Sequence, residues 1–146
     1  MIGQLYNTRP AGGAMNIIVD TSAIIAVIAG EPDRDALIAQ TRGADLLAPP
    51  SVHWEIGSAL SAMLKRRRIS LTRALEAVTA YQQIPIRFVN INLEDALQIA
   101  DTLDIYAYDA YLLQAAAEYQ APILSLDAYL LDCARRMNVS VIEVDR

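Results

Sequence analysis

The sequence predicts an α/β fold: a three-layer sandwich in which a central, mostly parallel sheet of about five strands is flanked by helices. Three observations predict it. Short apolar runs rich in β-formers recur along the chain. A segment with helical spacing separates each run from the next, and that alternation builds crossover connections rather than hairpins. The chain has 146 residues, 54% of them apolar, enough for one core without a disulfide or zinc staple. Repeats, low-complexity tracts and internal linkers are absent from the sequence.

Taken in order, Asn16–Asp20 (NIIVD) reads as a strand ending on a carboxylate. Thr21–Ala29 reads as a helix broken by Gly30 and Pro32. Asp33 is placed to cap a helix over Arg34–Arg42, with Gly43 as its stop. Asp45–Ala48 is a short strand closed by Pro49 and Pro50. Ser51 is the expected cap of a long helix to about Arg66, with Val52, Ile56, Met63 and Leu64 as its buried stripe. Ser70 opens a helix to about Gln83, with Leu71, Leu75 and Val78 on one side. Ile84–Ile91 is a strand with Pro85 near its start, where a missing N–H costs least. Asn92 and Asp95 resemble a capping box for a helix to Leu103. Asp109 starts a helix to Tyr119, followed by a strand over Ala121–Leu126. A helix over Ala128–Met137, ended by Asn138, precedes the last strand, Val139–Val144.

Residues 15–146 are therefore expected to form one domain. Residues 1–14 (MIGQLYNTRPAGGA) show no period, contain Pro10, Gly12 and Gly13, and precede a second Met. They are expected to be a disordered tail, from an upstream start codon or left over from cloning.

Composition excludes several function classes. Twelve Lys and Arg against seventeen Asp and Glu give a net charge of −5, which argues against nucleic-acid binding through overall positive charge. Cys133 is the lone cysteine, so there is no internal disulfide and no thiolate metal cage, in keeping with a reducing cytoplasm. His53 is the lone histidine, which excludes sites built on several imidazoles. The apolar stretches are too short to cross a bilayer, and the start lacks a secretion signal, so a cytoplasmic protein without membrane contact is expected.

Four acids stand where chemistry is expected. Ligands of open α/β sheets bind at the carboxyl ends of the strands. Asp20 ends the first strand, and Asp127 follows the fourth. Glu55 lies in the first turn of the helix after the second strand, and Asp109 opens the helix before the fourth. Each has a plain alternative, since an acid at a helix start caps free N–H groups and meets the positive end of the helix dipole. Asp20 resists it best, because it follows Ile17, Ile18 and Val19 into what should be buried space, with no Lys or Arg nearby in sequence. Acids held together repel, and a divalent cation relieves that. All-oxygen ligation points to Mg²⁺ or Mn²⁺ rather than Zn²⁺. Such an ion, or a pair of them, suits phosphodiester hydrolysis by an activated water.

The chain from Met15 to Arg146 resembles the PIN-domain family, and within it the VapC toxins of bacterial toxin–antitoxin pairs. Met15-Asn-Ile-Ile-Val-Asp20-Thr-Ser22-Ala resembles the family's first motif, and Pro50-Ser-Val-His-Trp-Glu55-Ile its second. Tyr108-Asp109-Ala-Tyr-Leu-Leu-Gln114-Ala-Ala resembles the third, and Pro122-Ile-Leu-Ser125-Leu-Asp127 the fourth. Ser125 stands where Thr is frequent, and Gln114 where an apolar residue is frequent. The resemblance implies the PIN-like form of the sandwich and a Mg²⁺-dependent endoribonuclease, with Mn²⁺ able to substitute. Catalytic roles fall on Asp20, Glu55, Asp109 and Asp127, with Asp20 and Asp109 as metal ligands and Ser22 supporting a ligand carboxylate. It implies RNA as substrate (tRNA, rRNA or mRNA), a cognate antitoxin as partner, and a homodimer. A PIN-type nuclease of RNA maturation and a non-catalytic interaction module are the alternatives. A receiver-type phosphoacceptor domain is disfavoured, because no Lys follows Leu124.

Other residues carry weaker signals. Lys65, Arg66, Arg67 and Arg68 form the single basic run, read either as a solvated helix end or as a contact for RNA phosphate or antitoxin. Tyr106, Tyr108 and Tyr111 surround Asp109, where core packing competes with base stacking. Trp54 and Tyr81 are expected to pack, Cys133 to be core or interface, and His53 to take no catalytic part. Asp101, Asp104 and Asp132 read as solvated helix faces.

Overall fold

The computed structural model describes residues 15–144, and the expectation for residues 1–14 lies outside them. Among the described residues, five strands and seven helices alternate as expected. The strands are β1 (Asn16–Val19), β2 (Asp45–Ala48), β3 (Ile86–Phe88), β4 (Ile123–Leu124) and β5 (Val141–Ile142). The helices are α1 (Thr21–Ile28), α2 (Arg34–Thr41), α3 (Ser51–Lys65) and α4 (Leu71–Gln82), then α5 (Leu93–Leu103), α6 (Ala107–Tyr119) and α7 (Ala128–Arg136).

The sheet order is β3-β2-β1-β4-β5, and each neighbouring pair is parallel. From β1 the chain steps outward through β2 to β3, then returns past β1 to β4 and continues to β5. Right-handed crossovers therefore place α1–α4 on one face and α5–α7 on the other. The packing agrees: α1 lies against α2, α3 and α4, while α5 packs on α6, and α6 on β1 and β4. The order reverses between β1 and β4, and such a switch point is where open α/β sheets bind their ligands.

β1 is the axis of the core. Ile17, Ile18 and Val19 are all buried, so both faces of this strand are covered. Burial of each such side chain is worth about 1.5–3 kcal/mol. The core strands are shorter than the apolar runs suggested: the Ala121–Leu126 run yields only Ile123–Leu124.

Helix ends obey local chemistry. Ser70 accepts from the Arg73 N–H and Asn92 from the Asp95 N–H, both as expected. Gly43 and Asn138 take the left-handed conformation that ends helices. Ser51 does not cap α3: Pro50 occupies the cap position, and the buried Ser51 hydroxyl has no hydrogen-bond partner. Helix α4 also buries a different stripe from the expected one. Ala74, Ala77 and Tyr81 face inward, whereas Leu71 and Leu75 are exposed. The small residues let α4 approach α1 closely, which size-blind reading of the pattern overlooked. Gln114 is buried, and its Oε1 accepts from the Asn92 N–H at 3.2 Å, fixing the start of α5. No described helix is long and apolar enough to cross a membrane.

Candidate active site

Asp20 leaves the sheet where β1 stops and sits at the N-cap of α1. Only 5% of it is exposed. Its Oδ1 accepts from the Ala23 N–H at 3.0 Å and from the Ser22 hydroxyl at 2.8 Å. Its Oδ2 accepts from the Ser125 hydroxyl at 2.5 Å, and Ser22 lies 2.9 Å from it as well. The two serines are themselves anchored: the Leu126 N–H donates to Ser22 Oγ and the Asp127 N–H to Ser125 Oγ, each at 2.9 Å. A lattice of donors thus stitches the end of β1 to the end of β4 across the switch point. The capping role of Asp20 is real, but one N–H bond would not require two buried hydroxyls aimed at the same carboxylate.

Burial pushes the Asp20 carboxyl above its ordinary range, and the charge of Asp127 adds to this. The bonds from Ser125, Ala23 and Ser22 pull it back only in part. Glu55, in the first turn of α3, is also raised, first by burial and then by the charges of Asp20 and Asp109. The Thr21 hydroxyl donates to Glu55 Oε2 at 3.0 Å and opposes the rise. The Ser51 hydroxyl opposes it more weakly, from a position short of a proper hydrogen bond. Glu55 Oε1 is buried without a partner. Asp109 lies in the first turn of α6 and is raised by burial and by the charge of Asp127. Asp127 is exposed and caps α7 through bonds from the Tyr129 and Leu130 N–H groups, at 3.0 and 3.4 Å.

All four predicted acids therefore come to the edge where the parallel strands end, and they feel one another electrostatically. Among the described residues, no lysine or arginine belongs to the groups that shift Asp20, Glu55 or Asp109. The cluster is not a closed cage. Among the described residues, no three His, Cys, Asp or Glu side chains are gathered so as to hold a metal ion as they stand. An all-oxygen donor set, an orphaned buried carboxylate oxygen and carboxyls pushed up by burial, and further by one another's charges, nonetheless fit a hard divalent cation. Mg²⁺ needs only one or two direct carboxylates, because it retains several waters.

A family model for the PIN domain matches residues 17–146. The chain belongs to the PIN-domain family. PIN domains are generally nucleases, hydrolases of RNA or DNA that use divalent metal ions. No curated protein matches the sequence. Among solved structures this PIN domain is similar to PAE2754 from Pyrobaculum aerophilum, at 20% identity and a TM-score of 0.67, covering 90% of this chain and 87% of that one. It is also similar to Mycobacterium tuberculosis VapC20, described as a sarcin–ricin loop cleaving toxin, at 16% identity and a TM-score of 0.57, covering 80% and 93%. These likenesses concern the fold.

The remaining predicted residues separate from the acids. Lys65 and Arg66–Arg68 close the far end of α3, about 15 Å along the helix from Glu55. Arg67 is in the left-handed conformation, and the Arg67 and Arg68 N–H groups return to the Leu64 and Met63 carbonyls, so the run terminates the helix. Tyr106 and Tyr108 are exposed and Tyr111 is half-buried, with Tyr108 and Tyr111 edge-to-face at 6.0 Å. Cys133 is buried in the core. Trp54 does not pack as expected: it is 74% exposed. Thr21 and Ser125 are the supporting residues that sequence reading missed, and their places directly after Asp20 and two before Asp127 were the available signals.

Proposed function

We propose that the protein is a Mg²⁺-dependent endoribonuclease, the toxin of a toxin–antitoxin pair, neutralised by a cognate antitoxin. The single observation that carries the nuclease reading is the buried Asp20 carboxylate, oriented by Ser22 and Ser125 among three further acids with no basic partner. The toxin reading is supported by likeness to a structure described as a sarcin–ricin loop cleaving toxin.

Asp20 and Asp109 are the residues that would hold the ion, with Mn²⁺ as a substitute for Mg²⁺. Bound there, it would supply the positive charge that activates water and stabilises the leaving oxygen. The chain's own contributions are specific. Ser22 and Ser125 fix the plane of the Asp20 carboxylate, so its outward lone pairs keep one direction. Thr21 ties down one oxygen of Glu55 and leaves Oε1 to orient the attacking water and accept its proton. Asp127 contributes negative charge from the rim while capping α7. The products would carry 5′-phosphate and 3′-hydroxyl ends.

The test is cleavage of total RNA by purified protein in Mg²⁺, Mn²⁺ and EDTA. Cleavage in either metal, silence in EDTA and relief of toxicity by an adjacent antitoxin gene are expected. Activity that persists in chelator, or cyclic 2′,3′-phosphate ends, would contradict the mechanism. Cleavage without an antitoxin gene nearby would favour a nuclease of RNA maturation.

A further inference from the structure

The first turn of α3 carries an aromatic shelf that the acids do not use. Trp54 is exposed, although Val52 and Ile56 beside it are buried. His53 meets three rings: Trp54 edge-to-face with centroids 4.8 Å apart, Tyr81 at 5.7 Å, and Phe88 edge-to-face at 6.1 Å. Tyr81 is buried, and its hydroxyl lies 3.0 Å from His53 Nδ1. A buried hydroxyl on α4 thus holds the imidazole, and the imidazole braces the indole. Phe88, partly exposed, is in register with Ala48, so it too ends a strand at the edge where Asp20 emerges.

We propose that Trp54, met edge-on by His53, is the platform on which an unpaired RNA base next to the scissile phosphate stacks. The inference rests on the ribonuclease reading and adds to it the contact that holds the substrate. Adjacency is the first reason. Trp54 directly precedes Glu55 in the first turn of α3, so the exposed indole and the carboxylate leave neighbouring sides of one helix turn at the strand-end edge, about one nucleotide step apart. Charge is the second. The rim is acidic and repels phosphates, while Lys65–Arg68 sit at the opposite end of α3. Beyond the ion proposed at the acids, stacking on an exposed aromatic adds affinity there that needs no positive side chain and serves bases of any sequence. The edge contact from His53, itself held by the Tyr81 hydroxyl, is the third: it favours one orientation of the indole and so reduces the conformational freedom lost when a base lands on it. A protein partner could also cover an exposed tryptophan, but the position beside the acids favours the substrate.

Trp54 is the sole tryptophan of the sequence, so its fluorescence reads the shelf directly. Titration in EDTA with a short oligo(A), and with an abasic oligomer of the same length and charge, separates base from phosphate. Saturable quenching by oligo(A) alone is expected, whereas equal quenching by both, or none by either, overturns the proposal. In Mg²⁺, Trp54→Ala should raise the KM for RNA about 10-fold with little change in kcat, and Trp54→Phe should recover most of it. An unchanged KM overturns the proposal, and if Trp54→Ala then loses capture of the antitoxin, the shelf docks protein instead. Failure of the wild-type protein to cut RNA would sink the nuclease reading, but the quenching comparison needs no cleavage and judges the shelf separately.

Discussion

Ser125→Ala removes one oxygen from the molecule and tests how the site is built. The Ser125 hydroxyl donates to Asp20 Oδ2 at 2.5 Å and accepts from the Asp127 N–H at 2.9 Å, in a setting only 2% exposed. Loss of a hydrogen bond to a buried carboxyl costs about 1–3 kcal/mol, and an N–H left without its acceptor adds about 1 kcal/mol. The expected destabilisation is about 2–4 kcal/mol, read as a lower urea midpoint and a fall in Tm of about 8–15 °C. The same bond is the strongest influence holding the Asp20 carboxyl down against burial. Without it Asp20 takes up a proton more readily, so the acidic limb of the kcat/KM profile should move to higher pH. Ser125→Thr keeps the hydroxyl and should restore the profile. A variant with wild-type urea midpoint and an unmoved acidic limb would refute the idea that the serine lattice holds Asp20.

Other outcomes follow from the same geometry. The folded carboxyls of Asp20, Glu55 and Asp109 lie above their ordinary values of 3.8, 4.5 and 3.8. The folded chain therefore keeps protons that the unfolded chain releases, and their contribution to stability, full below the ordinary carboxylate range, is lost as pH rises through the raised values. In EDTA, wild-type protein should lose stability relative to Asp20→Asn as pH rises above the ordinary carboxylate range, and Mg²⁺ should reduce the loss; a constant difference in denaturation midpoints would contradict this. Asp109→Asn should keep the fold, by circular dichroism, yet lower kcat about 10³-fold, since the ion supplies several kcal/mol of charge stabilisation. Arg67→Gly should stabilise the protein by about 1 kcal/mol in urea titrations, because Arg67 holds a left-handed backbone at φ 56°. Neutralising Lys65, Arg66 and Arg68 should weaken RNA binding and flatten its salt dependence, the slope falling by about 0.7 for each phosphate no longer neutralised; unchanged binding across a salt series would show that the run serves only to end α3.

Element type was legible in the sequence because strand-forming runs and helical spacing alternate cleanly from Asn16 onward. Sheet order was not, since the alternation is the same whichever neighbour a strand pairs with. That order puts β1 beside β4, and so puts Ser125 on Asp20, 105 residues away in sequence. The acids could be picked out because a carboxylate after Ile17-Ile18-Val19 has no cheap burial. Ser22 stood out with them through the first-motif resemblance, but the other supports did not: Ser125 reads as an ordinary strand residue, and Thr21 as an ordinary helix start. The α4 stripe failed because pattern reading favoured the large Leu71 and Leu75, whereas close helix packing selected Ala74 and Ala77. Trp54 failed for a related reason, since size and apolarity argued for the core while its helical position turned it to solvent.

The central claim is that acids distant in the chain share one divalent cation at the end of β1. Mn²⁺ titration of the purified protein, followed by the electron paramagnetic resonance of the free ion, tests it without substrate. Saturable binding is expected, displaced by Mg²⁺ and abolished or greatly weakened by Asp20→Asn and by Asp109→Asn. Undiminished binding by both folded variants, or no binding by the wild-type chain, would contradict it.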